Sequence, residues 1–197
     1  MNQHVSFLFT SLLTDDCIAR GKALLDGGVR YLGGTNETYG NINTSDSLWV
    51  IRDLVFNQKK YTLRQLNDAM LANFNGYEAL RKDCLNCDKY GNDLETADTM
   101  ANDLYEFVAK GVRNRGIAIG MQYFLIVISN NQLNTEWGNR TAASPDGRLS
   151  CMYMNPANNP QGGANKSGPT AMLNSLAKFD AKYHGGSVQN IKFSPSM

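Results

Sequence analysis

The chain has 197 residues, 19 Lys+Arg against 18 Asp+Glu, a net charge of +1 and 42% hydrophobic residues. That is enough apolar material for one domain or a large part of one. The basic residues are scattered, with no run longer than Lys59-Lys60, which argues against nucleic acid or an anionic membrane surface as partner.

Val5–Leu13 is apolar, but no Lys or Arg precedes it and Asp15-Asp16 follows, so it does not read as a secretory signal. No run approaches the ~18 apolar residues of a membrane span. A cytoplasmic location is the expectation. N-x-[ST] sequons at Asn36, Asn43, Asn139 and Asn165 carry little weight in an Asn-rich chain.

The spacing of Phe7, Leu8, Leu12, Leu13, Ala19, Ala23 and Leu24 predicts a helix over Val5–Asp26, closed by Gly27-Gly28. Val29–Asp46, rich in Gly, Asn and Thr, reads as loop with at most a short strand. Ser45 or Asp46 then caps a helix over Ser47–Asn57, with Leu48, Ile51 and Val55 inward. Thr62 and Gln65 form a capping-box pattern before a third helix with Leu63, Leu66, Met70 and Phe74 on one face. Gly76 interrupts it before Tyr77–Leu85. Asp93 or Thr96 starts a fourth helix, with Ala97, Met100, Leu104, Phe107 and Val108 inward and Lys110 and Arg113 in its last turn.

Met121–Ser129 (MQYFLIVIS) is a continuous, β-branched-rich apolar run and predicts a strand buried on both faces. The turn-dense stretch Gly138–Ser175 follows. It opens onto a short helix over Thr170–Tyr183 with Pro169 near its first turn, and Ser187–Phe193 predicts a final strand. A loop segment of this kind, held by a rigid scaffold, is the first place to look for function.

Familiar catalytic patterns are absent: the sequence has no GxSxG, HExxH, P-loop or complete GxGxxG. Its two histidines lie far apart, His4 in a terminus and His184 at the expected end of a helix. Cys84-Leu-Asn-Cys87 has CxxC spacing, but no second Cys or His pair completes a tetrahedral metal site. It also ends a helix rather than starting one, so it reads as two thiols on a helix. Gly162-Gly163 and Gly168, ahead of the helix at Thr170, suit either an anion cradle or an ordinary turn and cap.

Several segments in sequence carry a resemblance: LLTDDCIARGKALLDGGVRY, GNINTSDSLWVIRDLVFNQKKYTLRQLNDAMLANFNGYEALR, KYGND, GNRTAASPDGR, GPTAMLNSLAKFD and IKFSPS. Taken together, from about Leu12 onward, they resemble the glycyl radical enzymes, the family of pyruvate formate-lyase and the glycerol and propanediol dehydratases. The resemblance implies an α/β fold, with this chain a helix-rich fragment of the ten-stranded glycyl radical enzyme α/β barrel. It implies a single partial domain over residues 1–197, from the second half-barrel. It implies radical cleavage of a C–C, C–N or C–O bond in a small-molecule substrate. The glycyl radical is installed by a radical SAM activating enzyme, and a homo-oligomer is expected.

The family's thiyl cysteine lies upstream of the matched region and its radical glycine in an RVxGY-like segment downstream of FSPS. The expectation is therefore no cofactor in this chain and no radical reaction by it alone. An accessory module derived from the family and an anion-binding α/β domain are the alternatives. The PTA-type segment lies beside the substrate pocket in the family, which selects Pro169, Thr170, Ala171 and Met172 as pocket-lining candidates, with helix capping the alternative role for Thr170. Asp146, Gly147 and Arg148 of PDGR are expected to hold a loop, Arg148 by its planar fork of donors. After PDGR the family's acidic residues give way here to LSCMYMNPANNP, which leaves the substrate open.

Overall fold

The computed structural model describes residues 7–119, 123–128, 133–180, 182 and 184–193. The chain packs as two compact units, Met1–Asn36 with Lys110–Leu125, and Glu37–Ala109 with Ile126–Met197.

In the first unit the helix expected over Val5–Asp26 is broken into α1 (Leu8–Leu12), α2 (Cys17–Arg20) and a 3-10 turn at Leu24–Asp26. Asp16 (φ 71°) and Gly21 (φ 61°) turn the chain left-handed on either side of α2. Asp16 has a partner that helical spacing does not show. Its carboxylate accepts Arg30 Nε at 2.9 Å and Nη2 at 3.1 Å, which holds its pKa below the usual carboxylate range. Leu8, Leu12 and Leu13, expected inward, are exposed. Val5 and Ser6 lie outside the described residues, as does His4. Strand β1 (Gly33–Glu37) follows.

The second unit holds the largest departure. Helix α3 runs Asn41–Val50 and passes into a π-helical segment, Ile51–Asn57. It starts six residues earlier than expected, and Ser45 and Asp46 lie inside it rather than capping it. Gly40 (φ 70°) stands at its N-cap. The composition NINTSD reads as loop because these side chains compete for local backbone groups. Here Asn43 and Asp46 are drawn into tertiary hydrogen bonds instead.

Other elements follow the pattern more closely. Helix α4 (Leu63–Leu71) carries the complete capping box: Thr62 N donates to Gln65 Oε1 at 2.8 Å and Gln65 N to Thr62 Oγ1 at 3.1 Å. Gly76 (φ 78°) separates it from α5 (Glu78–Asn86). Val50, Leu54, Leu66, Ala69, Phe74, Leu80 and Cys84 form one buried apolar cluster joining α3, the π-helical segment, α4 and α5. Each Val, Leu or Phe among them contributes about 1.5–3 kcal/mol by leaving water. Ala143 and Leu149, from the later loop, pack on the same cluster.

Helix α6 (Glu95–Ala118) is longer than expected, so Lys110 and Arg113 lie in its body and Arg115 in its last turn. Its buried stripe is Ala97, Ala101, Tyr105 and Ala109, at a spacing of four, while Phe107, expected inward, is 78% exposed. Tyr90 and Tyr105 both pack on Phe179, with ring centroids 5.4 and 5.2 Å apart.

Strand β2 (Tyr123–Ile128) realises the apolar run. Met121, Gln122 and Ser129 lie outside the described residues, and so does the burial of the strand's side chains. After it come α7 (Leu133–Asn139), whose last two residues open the turn-dense stretch, α8 (Gly168–Ala177) and β3 (His184–Ser187). Pro169 occupies the first turn of α8, and the helix stops short of Tyr183, itself outside the described residues. His184 stands on β3 rather than at a helix end, and residues 188–193 are irregular where a strand was expected. β2 pairs in parallel with β3 through Ile126↔His184, Val127↔Gly186 and Ile128↔Ser187, with a register shift after Ile126. The strand order of the sheet is β1-β2-β3. No helix among the described residues is long and apolar enough to cross a membrane.

Candidate functional site

The long loop between α7 and α8 is held by asparagine side chains that substitute for secondary structure. Asn43 on α3 and Asn155 in the loop bond reciprocally: Asn155 N donates to Asn43 Oδ1 at 2.7 Å, and Asn43 N to Asn155 Oδ1 at 3.2 Å. Asn134 on α7 donates through Nδ2 to Met154 O at 2.9 Å, and Met154 N returns a bond to Asn134 O at 3.1 Å. Asn92 accepts from Lys166 N at 2.7 Å and Ser167 N at 3.1 Å, and donates to Ala164 O at 2.9 Å. A buried loop must satisfy its peptide groups, and amides do so with a donor and an acceptor each.

The PDGR turn sits at the centre of this frame. Asp146 is buried, and its carboxylate accepts from Asn43 Nδ2 at 2.6 Å, Ser144 Oγ at 2.5 Å and Arg148 N at 3.2 Å. Its own N–H reaches Ser47 Oγ on α3 at 3.2 Å. Arg148 points its guanidinium at backbone oxygens: Nη1 to Met152 at 2.8 Å and Leu149 at 3.2 Å, and Nη2 to Ala142. Burial pushes its pKa below the usual value. The two side chains serve different partners, Asp146 joining the loop to α3 and Arg148 closing the loop on itself. Gly147 (φ 94°) lies where a Cβ would stand 2.7 Å from Leu85 Cδ2, so that the turn and α5 approach as closely as they do only with glycine.

Two hollows flank this loop. The larger, about 430 Å3, is lined by Asp146, Gly147 and Arg148 together with Asp46, Arg81 and the Gly162–Ala164 turn. Arg81 Nε donates to Gly147 O at 2.9 Å across its floor. Asp46 is 1% exposed; Oδ1 accepts Tyr90 N at 2.9 Å, and Oδ2 has no partner among the described residues. Burial raises its pKa to about 8. The smaller hollow, about 250 Å3, is lined by Asn165, Gly168, Pro169 and Met172 on one side and residues 190–193 on the other.

The structure thus divides the sequence candidates. Pro169 and Met172 face the smaller hollow, with Met172 buried. Thr170 is exposed and Ala171 half-buried, and neither lines either hollow. Helix α8 is anchored from behind. Ser175 Oγ donates to Asp98 at 3.0 Å, and Lys178 Nζ lies 2.8 Å from Asp98 and 3.0 Å from Asp93. These carboxylates raise the lysine's pKa. The anion cradle suggested ahead of α8 is already occupied by protein: Gly168 N donates to Asn165 Oδ1 at 3.0 Å, and the two preceding N–H groups go to Asn92. Cys84 and Cys87 close α5 as thiols, driven by burial to pKa values of about 12 and about 11. Asn43, Asp46, Arg81 and Gln161 were not among the sequence candidates. Asn43 and Asp46 lie in the GNINTSD segment, whose composition reads as loop.

The family profile described as pyruvate formate lyase-like matches residues 1–133, and that described as glycine radical matches residues 154–197. This chain belongs to the pyruvate formate lyase-like glycyl radical enzymes. It is 33% identical to the trans-4-hydroxy-L-proline dehydratase of Clostridioides difficile over 99% of its own length and 25% of the relative's. It is 32% identical to the (2S)-3-sulfopropanediol dehydratase of Klebsiella oxytoca over 94% of its length and 23% of the relative's. The structure of the C. difficile hydroxyproline dehydratase superposes with a TM-score of 0.84 at 34% identity, over 90% of this chain and 22% of that one. The glycerol dehydratase of Clostridium butyricum gives 0.82 at 31%, over 87% and 22%. The chain spans about a quarter of the length of the curated relatives it matches.

Proposed function

We propose that this chain forms one wall of the reaction chamber of a glycyl radical lyase that removes water from a small hydroxylated substrate. The observation that carries this reading is the match along nearly the whole chain to a dehydratase, at higher identity than to the decarboxylase subunits of the same family. The ten-stranded barrel of the intact enzyme belongs to the same proposal, as do the homo-oligomer and the cytoplasmic location. In that enzyme a protein glycyl radical, installed by a radical SAM activating enzyme and relayed through a cysteine, supplies the hydrogen-atom abstraction.

The residues of this chain shape the space in which that happens. Pro169 and Met172 present an apolar surface with no proton to give, and a wall of this kind keeps water from a reactive radical. Helix α8 is fixed in place by Lys178 and Ser175 on Asp98, so the wall holds its position. Asp146, Gly147 and Arg148 brace the loop that leads into it.

The test is anaerobic reconstitution of the enzyme containing this chain with its activating enzyme. The radical is read by electron paramagnetic resonance, and products are read from a panel of vicinal diols, hydroxylated amino acids and hydroxyphenylacetate. Water elimination from a diol or hydroxy acid is the expected result, and decarboxylation alone would replace the reading with C–C cleavage. Met172→Ala is expected to raise KM by about tenfold through lost apolar contact. The 197-residue chain treated alone with the activating enzyme is expected to show no radical signal.

A further inference from the structure

We propose that the larger hollow, beside the PDGR turn, binds a small anion of the phosphate class. Four cations line it: Arg81, Lys89, Arg148 and Lys166. None of the four is in an ion pair among the described residues. Arg148 and Lys89 are 3% and 6% exposed, and buried charge is costly unless it is countered. Their hydrogen bonds go to neutral oxygens, which satisfy the donors and leave the charge. Arg148 serves the carbonyls of Ala142, Leu149 and Met152 and, through Nε, the Ser144 hydroxyl at 3.2 Å; Lys89 Nζ donates to Cys84 O at 2.5 Å and Cys87 O at 3.3 Å. Among the described residues Arg81 uses only Nε, on Gly147 O, and its terminal N–H groups meet no acceptor. Lys166 is exposed, and its ammonium makes no hydrogen bond with the described residues.

The two carboxyl groups of the lining offset only part of this charge. Asp146 is a single carboxylate, shared among Asn43, Ser144 and the Arg148 N–H, against four cations. Asp46 is driven by burial toward its neutral acid, in which the unpartnered Oδ2 becomes a hydrogen-bond donor. Gly162 and Gly163 leave the rim without side chains. A volume of about 430 Å3 exceeds that of a bare phosphate, and Leu85 and Met152 offer contact to an organic substituent. The guanidinium of Arg81 supplies the planar pair of donors that phosphate oxygens accept. A divalent metal is disfavoured by the same four cations. The site is separate from the hollow beside α8 and does not rest on radical chemistry, so its failure would leave the lyase reading standing.

The experiment is calorimetric titration of the 197-residue chain with inorganic phosphate, pyrophosphate and glycerol phosphate at constant ionic strength, with chloride as control. Saturable one-site binding is expected for the phosphates and none for chloride. Tighter binding of glycerol phosphate than of phosphate assigns the site to an ester, and equal or weaker binding assigns it to the free anion. Arg81→Gln and Lys166→Gln are each expected to weaken pyrophosphate binding about tenfold, and the double variant to abolish it. Arg64→Gln, an exposed cation outside the hollow, leaves it unchanged. Lys166→Gln removes no hydrogen bond or ion pair among the described residues, so it keeps the test readable if Arg81→Gln impairs folding. Unsaturable uptake, or equal binding by the wild type and the folded double variant, overturns the proposal.

Discussion

The second unit contains two interiors built on opposite principles, and they meet along α3. At its C-terminal end, Val50 and Leu54 enter an apolar cluster with Leu66, Phe74 and Leu80. At its N-terminal end, Asn43, Asp46 and Ser47 are also buried but face Asp146, Asn155, Tyr90 and Gln161 through hydrogen bonds. The apolar cluster is non-directional, and each member adds its own transfer free energy. The polar layer is directional, so each group depends on its partners being in place. The apolar cluster forgives small rearrangement and supports the fold. The polar layer fixes the geometry of the PDGR turn and of the hollow beside it.

Substitutions can break or sharpen that contrast. The largest loss is expected from Asn43→Ala. It removes the bonds to Asp146, Gln161 and Asn155 N and leaves a buried carboxylate short of a donor. At about 1 kcal/mol for a neutral bond and more for a charged one, urea unfolding is expected to show roughly 4 kcal/mol. Leu66→Ala in the apolar cluster is expected to cost about 3 kcal/mol. If it costs more than Asn43→Ala by the same measurement, the polar layer is not the stricter of the two interiors.

The third contrast is pH. Asp46 is neutral in the folded chain up to about pH 8, whereas the unfolded chain gives up that proton near pH 4. The folded state therefore binds the extra proton between those values. This contribution to stability is complete below about pH 4 and is lost as the pH rises to about 8. One proton gives a slope of at most about 1.4 kcal/mol per pH unit. Asp46→Asn keeps the acceptor for Tyr90 N–H and is expected to flatten this part of a Tm-versus-pH curve; an unchanged curve would show that Asp46 is charged when folded. The smallest effect belongs to Thr62→Ala, which opens the capping box of α4 at the surface and is expected to cost about 1 kcal/mol in the same unfolding assay.

The same division separates what could be read in one dimension from what could not. The capping box, the break at Gly76 and the core positions Leu66 and Phe74 of α4 and its C-terminal turn were legible, because caps and apolar spacing act within a few residues. So was family membership, because several short segments keep one order along the chain. The segmentation of Val5–Asp26 was not, since it follows from Asp16 turning out of the helix to meet Arg30. The early start of α3 was not legible either. Asn43 contacts Asp146 and Asn155 more than a hundred residues away, and nothing nearby distinguishes a loop asparagine from one that a distant loop holds in a helix.

The sequence by itself determined the family, most of the helices and the importance of the loop that carries PDGR and leads to GPTAM. Tertiary structure decided which of its residues share a hollow. It set Pro169 and Met172 against residues 190–193, and it gathered Asp146 and four cations, Arg148 among them, around a separate space. The physical reason is the range of the forces involved. Helix caps and apolar periodicity are local, whereas burial of charge and pairing of amides depend on what folding brings alongside.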